Sequence, residues 1–197
     1  FITGLDDDDA FTPDRLATFV QRFDDSCNFL FSQRLALDGK HSKPSLYLQP
    51  RVNLNRILRR TCIGSQIFVR RSDLIDNNIY FDPGFPAWQD YDFVTQLVLK
   101  LGPGTRVYRY SYRYYIDHRL GRITHPHRIR KAYRRYRRKY DHWMTPSQRC
   151  SLAVNASLLS NRGVSEKLTR LCVRHGNLWD LMRIAKSAWA TRRKGTA

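Results

Sequence analysis

Acid is what this chain is short of. Its 197 residues hold 35 Lys and Arg against 17 Asp and Glu, a formal charge of +18. The imbalance points to an anionic partner: nucleic acid, an acidic membrane surface or a phosphorylated small molecule. Long apolar runs are missing too. None approaches the roughly 20 residues that span a bilayer. The first residues do not read as a secretory leader, because Asp6–Asp9 stand where an apolar stretch would be. Cysteine is sparse and scattered at Cys27, Cys62, Cys150 and Cys172. With no CxxC pair and no histidine at zinc-finger spacing, the expectation is isolated thiols in a reducing compartment. Internal repeats, an RNP-like strand and a helix-turn-helix pattern are also absent, and the aspartates lack the Gly and terminal Glu of an EF-hand loop.

Apolar side chains are plentiful at 42%, with 13% aromatics, so the chain can build a core. Phe1–Leu5 reads as a strand and Asp6–Asp9 as a loop. Thr12-Pro13-Asp14 reads as a helix start with Thr12 as N-cap, followed by an apolar stripe of Leu16, Phe19, Val20 and Phe23. Strands are expected over Asn28–Leu37, Ile63–Arg70 and Val107–Ile116. The Gly- and Pro-bearing stretches Asp38–Pro50 and Ile79–Ala87 read as irregular, and Trp88–Leu101 as a helix closed by Gly102-Pro103-Gly104. From Pro126 the chain turns basic and then wholly helical, over about Pro146–Ser160, Val164–His175 and Leu178–Arg192, with apolar faces expected to pack as core. The division expected is therefore an α/β part over 1–125 and a basic helical tail over 126–197.

Three clusters could carry chemistry. Adjacent carboxylates at Asp6–Asp9 repel one another, so the loop is either simply solvated or holds a hard cation such as Mg²⁺ or Mn²⁺. Asp90 and Asp92 stand at a helix start, where the dipole favours acids. Asp90 also follows Trp88, an aromatic able to stack on a sugar ring, and a carboxylate on such a loop can serve as general base toward a hydroxyl. His118 follows a strand and is flanked by Arg119 and Arg122, which suit phosphate oxygens.

Four segments in order resemble the family 2 glycosyltransferases. FITGLDDDDAFTPDRL resembles their acidic-motif strand and helix, and IGSQIFVRRSDL a later core strand with its basic turn. PAWQDYDFVTQLVLKLG resembles the segment bearing the acceptor-activating carboxylate, with Gln89 where an acid is usual, and YIDHRLGRIT the closing strand and His/Arg segment of bacterial polysaccharide members. The match covers roughly residues 1–125. It implies a GT-A-like, Rossmann-like mixed α/β sheet and metal-dependent, inverting sugar transfer from a nucleotide-sugar, in surface polysaccharide biosynthesis. The donor implied is a UDP-sugar, the acceptor a saccharide or lipid-linked hydroxyl, and the place the cytoplasm or the inner face of the membrane. By the same resemblance Asp8 is the favoured metal ligand with Asp9 the runner-up, and His118 completes the shell or contacts the diphosphate. Asp6 and Asp7 contact sugar or ribose, Trp88 and Gln89 border the substrate, Arg119 and Arg122 neutralise the diphosphate, and Asp90 is the base. The two β-α units that open such proteins have no counterpart here, so the expected chain is the C-terminal part of a catalytic domain.

The basic segment Arg128–Trp143 puts Ile129, Tyr133, Tyr136, Tyr140 and Trp143 near one helical face. It suits a solvated helix packed through its tyrosines, an interfacial helix on an anionic membrane, or a nucleic-acid contact. The rival functions are accordingly a nucleic-acid-binding protein and a truncated, inactive transferase.

Overall fold

The computed structural model describes residues 1–39, 41–44, 49–61, 63–116, 125–161 and 163–194. The chain divides into two compact units. The first takes Phe1–Ile57, Thr61–Asp82 and Gln89–Gly121, and the second Leu58–Arg60, Pro83–Trp88 and Arg122–Ala197. The helical tail thus recruits two short segments from earlier in the chain.

In the first unit, β1 (Ile2–Thr3) and β2 (Ala10–Phe11) flank the aspartates and α1 covers Arg15–Arg22. Then come β3 (Leu30–Asp38), β4 (His41–Pro44), β5 (Arg51–Val52), α2 (Leu54–Ile57), β6 (Ile67–Val69), α3 (Arg71–Asp76), α4 (Gln89–Lys100) and β7 (Gly104–Tyr115). This is a mixed α/β architecture, as the sequence led one to expect. The sheet runs β1-β6-β3-β7-β2, with β4 added to β3 and β5 to β7. Among the described residues only β3 and β7 pair in parallel; the other ladders are antiparallel. Between Ser32↔Val107 and Arg34↔Tyr112, five steps along β7 face two along β3. The surplus residues bulge outward, which leaves Tyr108 and Tyr110 exposed within a strand whose Val107 and Tyr112 are core.

The expectations over Asp38–Pro50 and α1 need correction. The first is no plain loop: β4 folds back on β3 from Leu35↔Pro44 to Asp38↔His41, and β5 begins at Arg51. Gly39, at φ +54°, sits in the turn of this hairpin, and Pro44 ends β4. In α1 the N-cap is Asp14, not Thr12. Of the expected stripe only Phe19 is buried, whereas Leu16 and Val20 are half exposed at 50% and 54%. The residue that joins Phe19 inside is Arg15. The core beneath α1 gathers Phe19, Cys27, Leu30, Phe68 and Val107, with Phe23 against it.

The second unit holds α5 (Pro126–Tyr140), α6 (Pro146–Leu159), α7 (Glu166–Arg174) and α8 (Leu178–Lys194). Each start has a local cause. Proline stands first in α5 and α6, Thr145 and Gln148 form a capping box on α6, and Ser165 caps α7 through the Leu168 amide. The α5 face that goes inward is Ile129, Ala132, Tyr136 and Tyr140. Between α6 and α7, Cys150, Val154 and Cys172 are buried with Leu158, Val164, Leu168, Leu171, Leu181 and Ile184 against them. Cys150 and Cys172 are not isolated: their sulfurs lie 3.0 Å apart as free thiols. Nor is all of the apolar tail core, since Leu178, Trp179 and Met182 are exposed. Among the described residues no helix is long and apolar enough to cross a membrane.

Candidate functional site

The aspartate run bridges the two ends of the sheet. Asp6–Asp9 follows β1, at one end of the strand order, and leads into β2, at the other. The run closes on itself as a turn, the Asp9 amide donating to the Asp6 carbonyl at 3.1 Å. It is pinned on both flanks. The Gly4 amide reaches the Ile67 carbonyl on β6 at 3.4 Å, and the Asp6 amide donates to the Tyr112 hydroxyl on β7 at 3.2 Å. The sheet is therefore curled, and the acids sit over the carboxyl end of the parallel pair β3–β7, where α/β sheets place ligands.

The four aspartates are not equivalent. Asp6, Asp7 and Asp8 are exposed. Asp9 is half-buried, and its Oδ1 accepts from the Tyr115 amide at 3.2 Å. Its Oδ2 is enclosed and has no hydrogen-bond partner. Burial pushes the Asp9 carboxyl above the usual range, opposed by the Tyr112 hydroxyl nearby and the Tyr115 amide and reinforced by Asp8 and Asp6. The phenol of Tyr112 is pushed up as well, chiefly by burial.

Asp90 belongs to the same neighbourhood. It lies in the first turn of α4, half-buried. Burial raises its pKa; the Tyr91 backbone amide lowers it, Asp6 raises it further and Arg34 pulls it back. Arg34 and Asp90 both approach Gly64, whose φ of +75° suits glycine. A Cβ there would lie 3.2 Å from Arg34 Nη1 and 3.8 Å from Asp90 Oδ2, so cation and carboxylate border the same bare backbone. Next along the chain, Ser65 Oγ is 3.3 Å from the Tyr112 hydroxyl. The structure thus brings Asp6, Asp9 and Asp90 together with three side chains that sequence reasoning passed over: Arg34, Ser65 and Tyr112. A lone arginine inside the apolar run Asn28–Leu37 was the single trace of the first, and Tyr112 was one of several tyrosines in an alternating strand.

Arg15 underlies the group. It is fully buried, with its guanidinium 4.4 Å from the Phe11 ring centroid and 4.3 Å from that of Phe19. Its Nη1 donates to Ser32 Oγ at 2.7 Å and Ser111 Oγ at 2.9 Å, and its Nη2 to the Gln66 carbonyl at 3.0 Å. Gln66 in turn accepts from Ser32 Oγ at 2.8 Å and donates to the Ile63 carbonyl at 3.1 Å. One side chain so ties β3 and β7 to the Ile63–Gln66 turn that carries Gly64 and Ser65. Burial lowers its pKa to about 10.

The remaining candidates are placed differently. Asp92 is fully buried and accepts from Gln96 Nε2 at 2.8 Å. Gln89 opens α4 and is half-buried. Trp88, expected to offer its ring to a sugar, is 6% exposed and stands edge-on to Tyr136 at 6.2 Å in the second unit. Its φ of +67° is left-handed, a strain of about 1–3 kcal/mol held two residues before Asp90. His118, Arg119 and Arg122 lie outside the described residues.

Among the described residues no three His, Cys, Asp or Glu side chains converge into a metal shell. A Mg²⁺ or Mn²⁺ held by one or two carboxylates plus phosphate oxygens needs no such shell. The exposed carboxylate of Asp8 and the orphaned Oδ2 of Asp9 have the oxygen chemistry for that mode.

No protein-family model matches the chain. Over 184 residues it is 30% identical to "Putative colanic acid biosynthesis glycosyl transferase WcaA" of Escherichia coli (strain K12), an alignment covering 89% of this chain and 65% of the relative. The chain thus spans just under two thirds of that protein's length. The structure of S. aureus TarS 1–349 in complex with UDP-GlcNAc aligns with a TM-score of 0.46 at 15% identity, covering 95% of this chain and 66% of the other. The same protein with UDP gives 0.44 at 14%, covering 96% and 66%. Similarity at that level is too distant to transfer a fold or a ligand.

Proposed function

We propose that the chain carries the catalytic, acceptor-activating part of a GT-A-like glycosyltransferase of polysaccharide biosynthesis, which moves a sugar from a UDP-sugar to a saccharide or lipid-linked hydroxyl. The observation that carries this reading is the meeting of Asp90 with Asp6, Arg34 and bare Gly64 at the curled end of the sheet. The sequence relationship to a protein named as a glycosyl transferase supports it. A divalent cation bound through Asp8 and Asp9 would supply charge neutralisation for the departing diphosphate. Asp6 and Asp7 hydrogen-bond the sugar or ribose. Asp90 accepts the proton of the acceptor hydroxyl as that oxygen attacks the anomeric carbon from the face opposite the diphosphate, so the configuration inverts. Arg34 opposes the burial that raises the Asp90 pKa.

The test is transfer from UDP-sugars with Mn²⁺, in a protein that includes this chain and whatever precedes it. Asp90→Asn is expected to cut kcat by about 10²-fold or more with folding intact. An unchanged kcat would overturn the base assignment. For the nucleic-acid alternative, Tyr136 and Tyr140 are buried and withheld from stacking, while Trp143 at the end of the same segment is 45% exposed.

A further inference from the structure

The second unit contains a cleft that the transfer reading does not use. About 410 Å³ of space, open to solvent, is bounded by Gly84 and Pro86 on one side and by Lys131, Arg134, Arg135 and Arg138 of α5 on the other. The four basic positions recur at i, i+3, i+4 and i+7, so one helical face presents them all. That face is opposite to Ile129, Ala132, Tyr136 and Tyr140, which anchor the helix from beneath.

The lining holds four cationic side chains and no acid. Elsewhere on the helix Arg137 pairs with Asp141, which also takes Arg149 of α6. Among the described residues, Lys131, Arg134 and Arg138 have no carboxylate partner. Like charges on one helix face repel. The cleft is also shaped by the backbone across from it. The Arg135 guanidinium lies directly on Gly84, where a Cβ would come within 2.8 Å of its Nη1, and its Cζ is 5.3 Å from the Phe85 ring centroid. Lys139 Nζ is 5.7 Å from the same ring. Phe85 is buried, so it is a fixed floor that steers these cations. A planar guanidinium held in place forms paired hydrogen bonds to phosphate oxygens with little further ordering.

We infer that the cleft between Gly84–Pro86 and Lys131, Arg134, Arg135 and Arg138 is a binding site for a diphosphate-bearing solute. Four cations around a volume in the range of small-molecule clefts suit a compact, multiply charged anion better than a single carboxylate. The site stands on the second unit alone and is independent of the proposed transfer reaction.

The experiment is calorimetric titration of the full chain with inorganic pyrophosphate at physiological salt, with EDTA present to remove any cation-dependent site. Saturable binding is expected. Lys131→Gln, Arg134→Gln and Arg138→Gln combined should weaken it at least tenfold, and Gly84→Val, which fills the cleft without changing charge, at least fivefold. Circular dichroism checks that each variant folds. The control is Lys167→Gln, Arg170→Gln and Arg174→Gln on α7, which removes equal charge and should leave affinity within twofold. Asp8→Asn with Asp90→Asn should also leave it unchanged, which separates this site from the proposed catalytic one. Equal losses in the α7 control and the α5 variant would reduce the effect to net charge and overturn the site. So would binding of anionic phosphatidylglycerol vesicles or duplex DNA without saturable pyrophosphate binding.

Discussion

Arg15 lies in the core with neutral partners only: two serine hydroxyls, one carbonyl and the faces of Phe11 and Phe19. A buried cation of this kind is expensive, and the three hydrogen bonds from its Nη atoms offset the cost in part, while its Nε is enclosed without a partner. Arg15→Ala would strand three acceptors beneath the Ile63–Gln66 turn, at about 1 kcal/mol or more each. A loss of roughly 3 kcal/mol in a urea titration is therefore expected. Arg15→Lys should recover only part of it, because a single ammonium cannot reproduce the guanidinium fork. Asp90 has the opposite sign. Its folded pKa is raised, so the folded state binds a proton more tightly than the unfolded chain. As pH rises from the ordinary carboxylate pKa through the raised folded value, stability falls, and above that value the deficit is constant. Asp90→Asn should therefore stabilise the chain at neutral pH, and the gain should vanish as pH drops below the usual carboxylate range. Denaturant midpoints of both proteins between pH 3 and 8 measure this; a gain that persists at low pH would exclude titration as its cause.

Helix α1 shows what periodicity can and cannot read. Its apolar residues recur at helical spacing, yet the buried wedge is Arg15 with Phe19, because Ser32, Ser111 and Gln66 converge from three distant segments to satisfy an arginine. Spacing along one helix carries no information on what those segments supply. Phe19→Ala should accordingly cost about 3–5 kcal/mol, and Leu16→Gln no more than about 0.5 kcal/mol. The strands were legible where alternation was long, as in β3 and β7, and illegible where pairing alone makes them, as in β2, which is two residues long, and β4, which is short and polar. The acids Asp6, Asp9 and Asp90 could be picked out because carboxylates bunched at a strand end or behind a Pro/Gly segment are rare. Arg34, Ser65 and Tyr112 could not, since each becomes part of the site only through the curl of the sheet. The thiols follow the same rule: Cys150 and Cys172 are 22 residues apart yet touch across α6 and α7. Burial, with Cys150 alongside, pushes the Cys172 thiol to about 12. In native buffer at neutral pH, both should react with an aromatic disulfide reagent far more slowly than in denaturant.

The charge of the whole molecule, +18, will draw it to any polyanion, and the question is what kind of binding that produces. Eight of the 15 residues of α5 are Arg or Lys, while its tyrosines Tyr136 and Tyr140 are committed to the interior. What α5 presents to a duplex is chiefly a row of cations, with Tyr133 half-buried among them. Contacts of that type are made to phosphates, which carry no sequence information. If four or five cations engage, the logarithm of the affinity should fall with the logarithm of salt at a slope of about −4. Two unrelated duplexes of equal length should bind alike, by fluorescence anisotropy from 50 to 200 mM salt. The α5 variant Lys131→Gln, Arg134→Gln and Arg138→Gln should make the slope shallower by about 2–3, one phosphate contact for each charge removed. Discrimination of more than tenfold between the duplexes would mean that the protein reads bases, and the excess positive charge would then belong to a nucleic-acid function; a slope near zero would mean that these cations do not engage duplex phosphates at all.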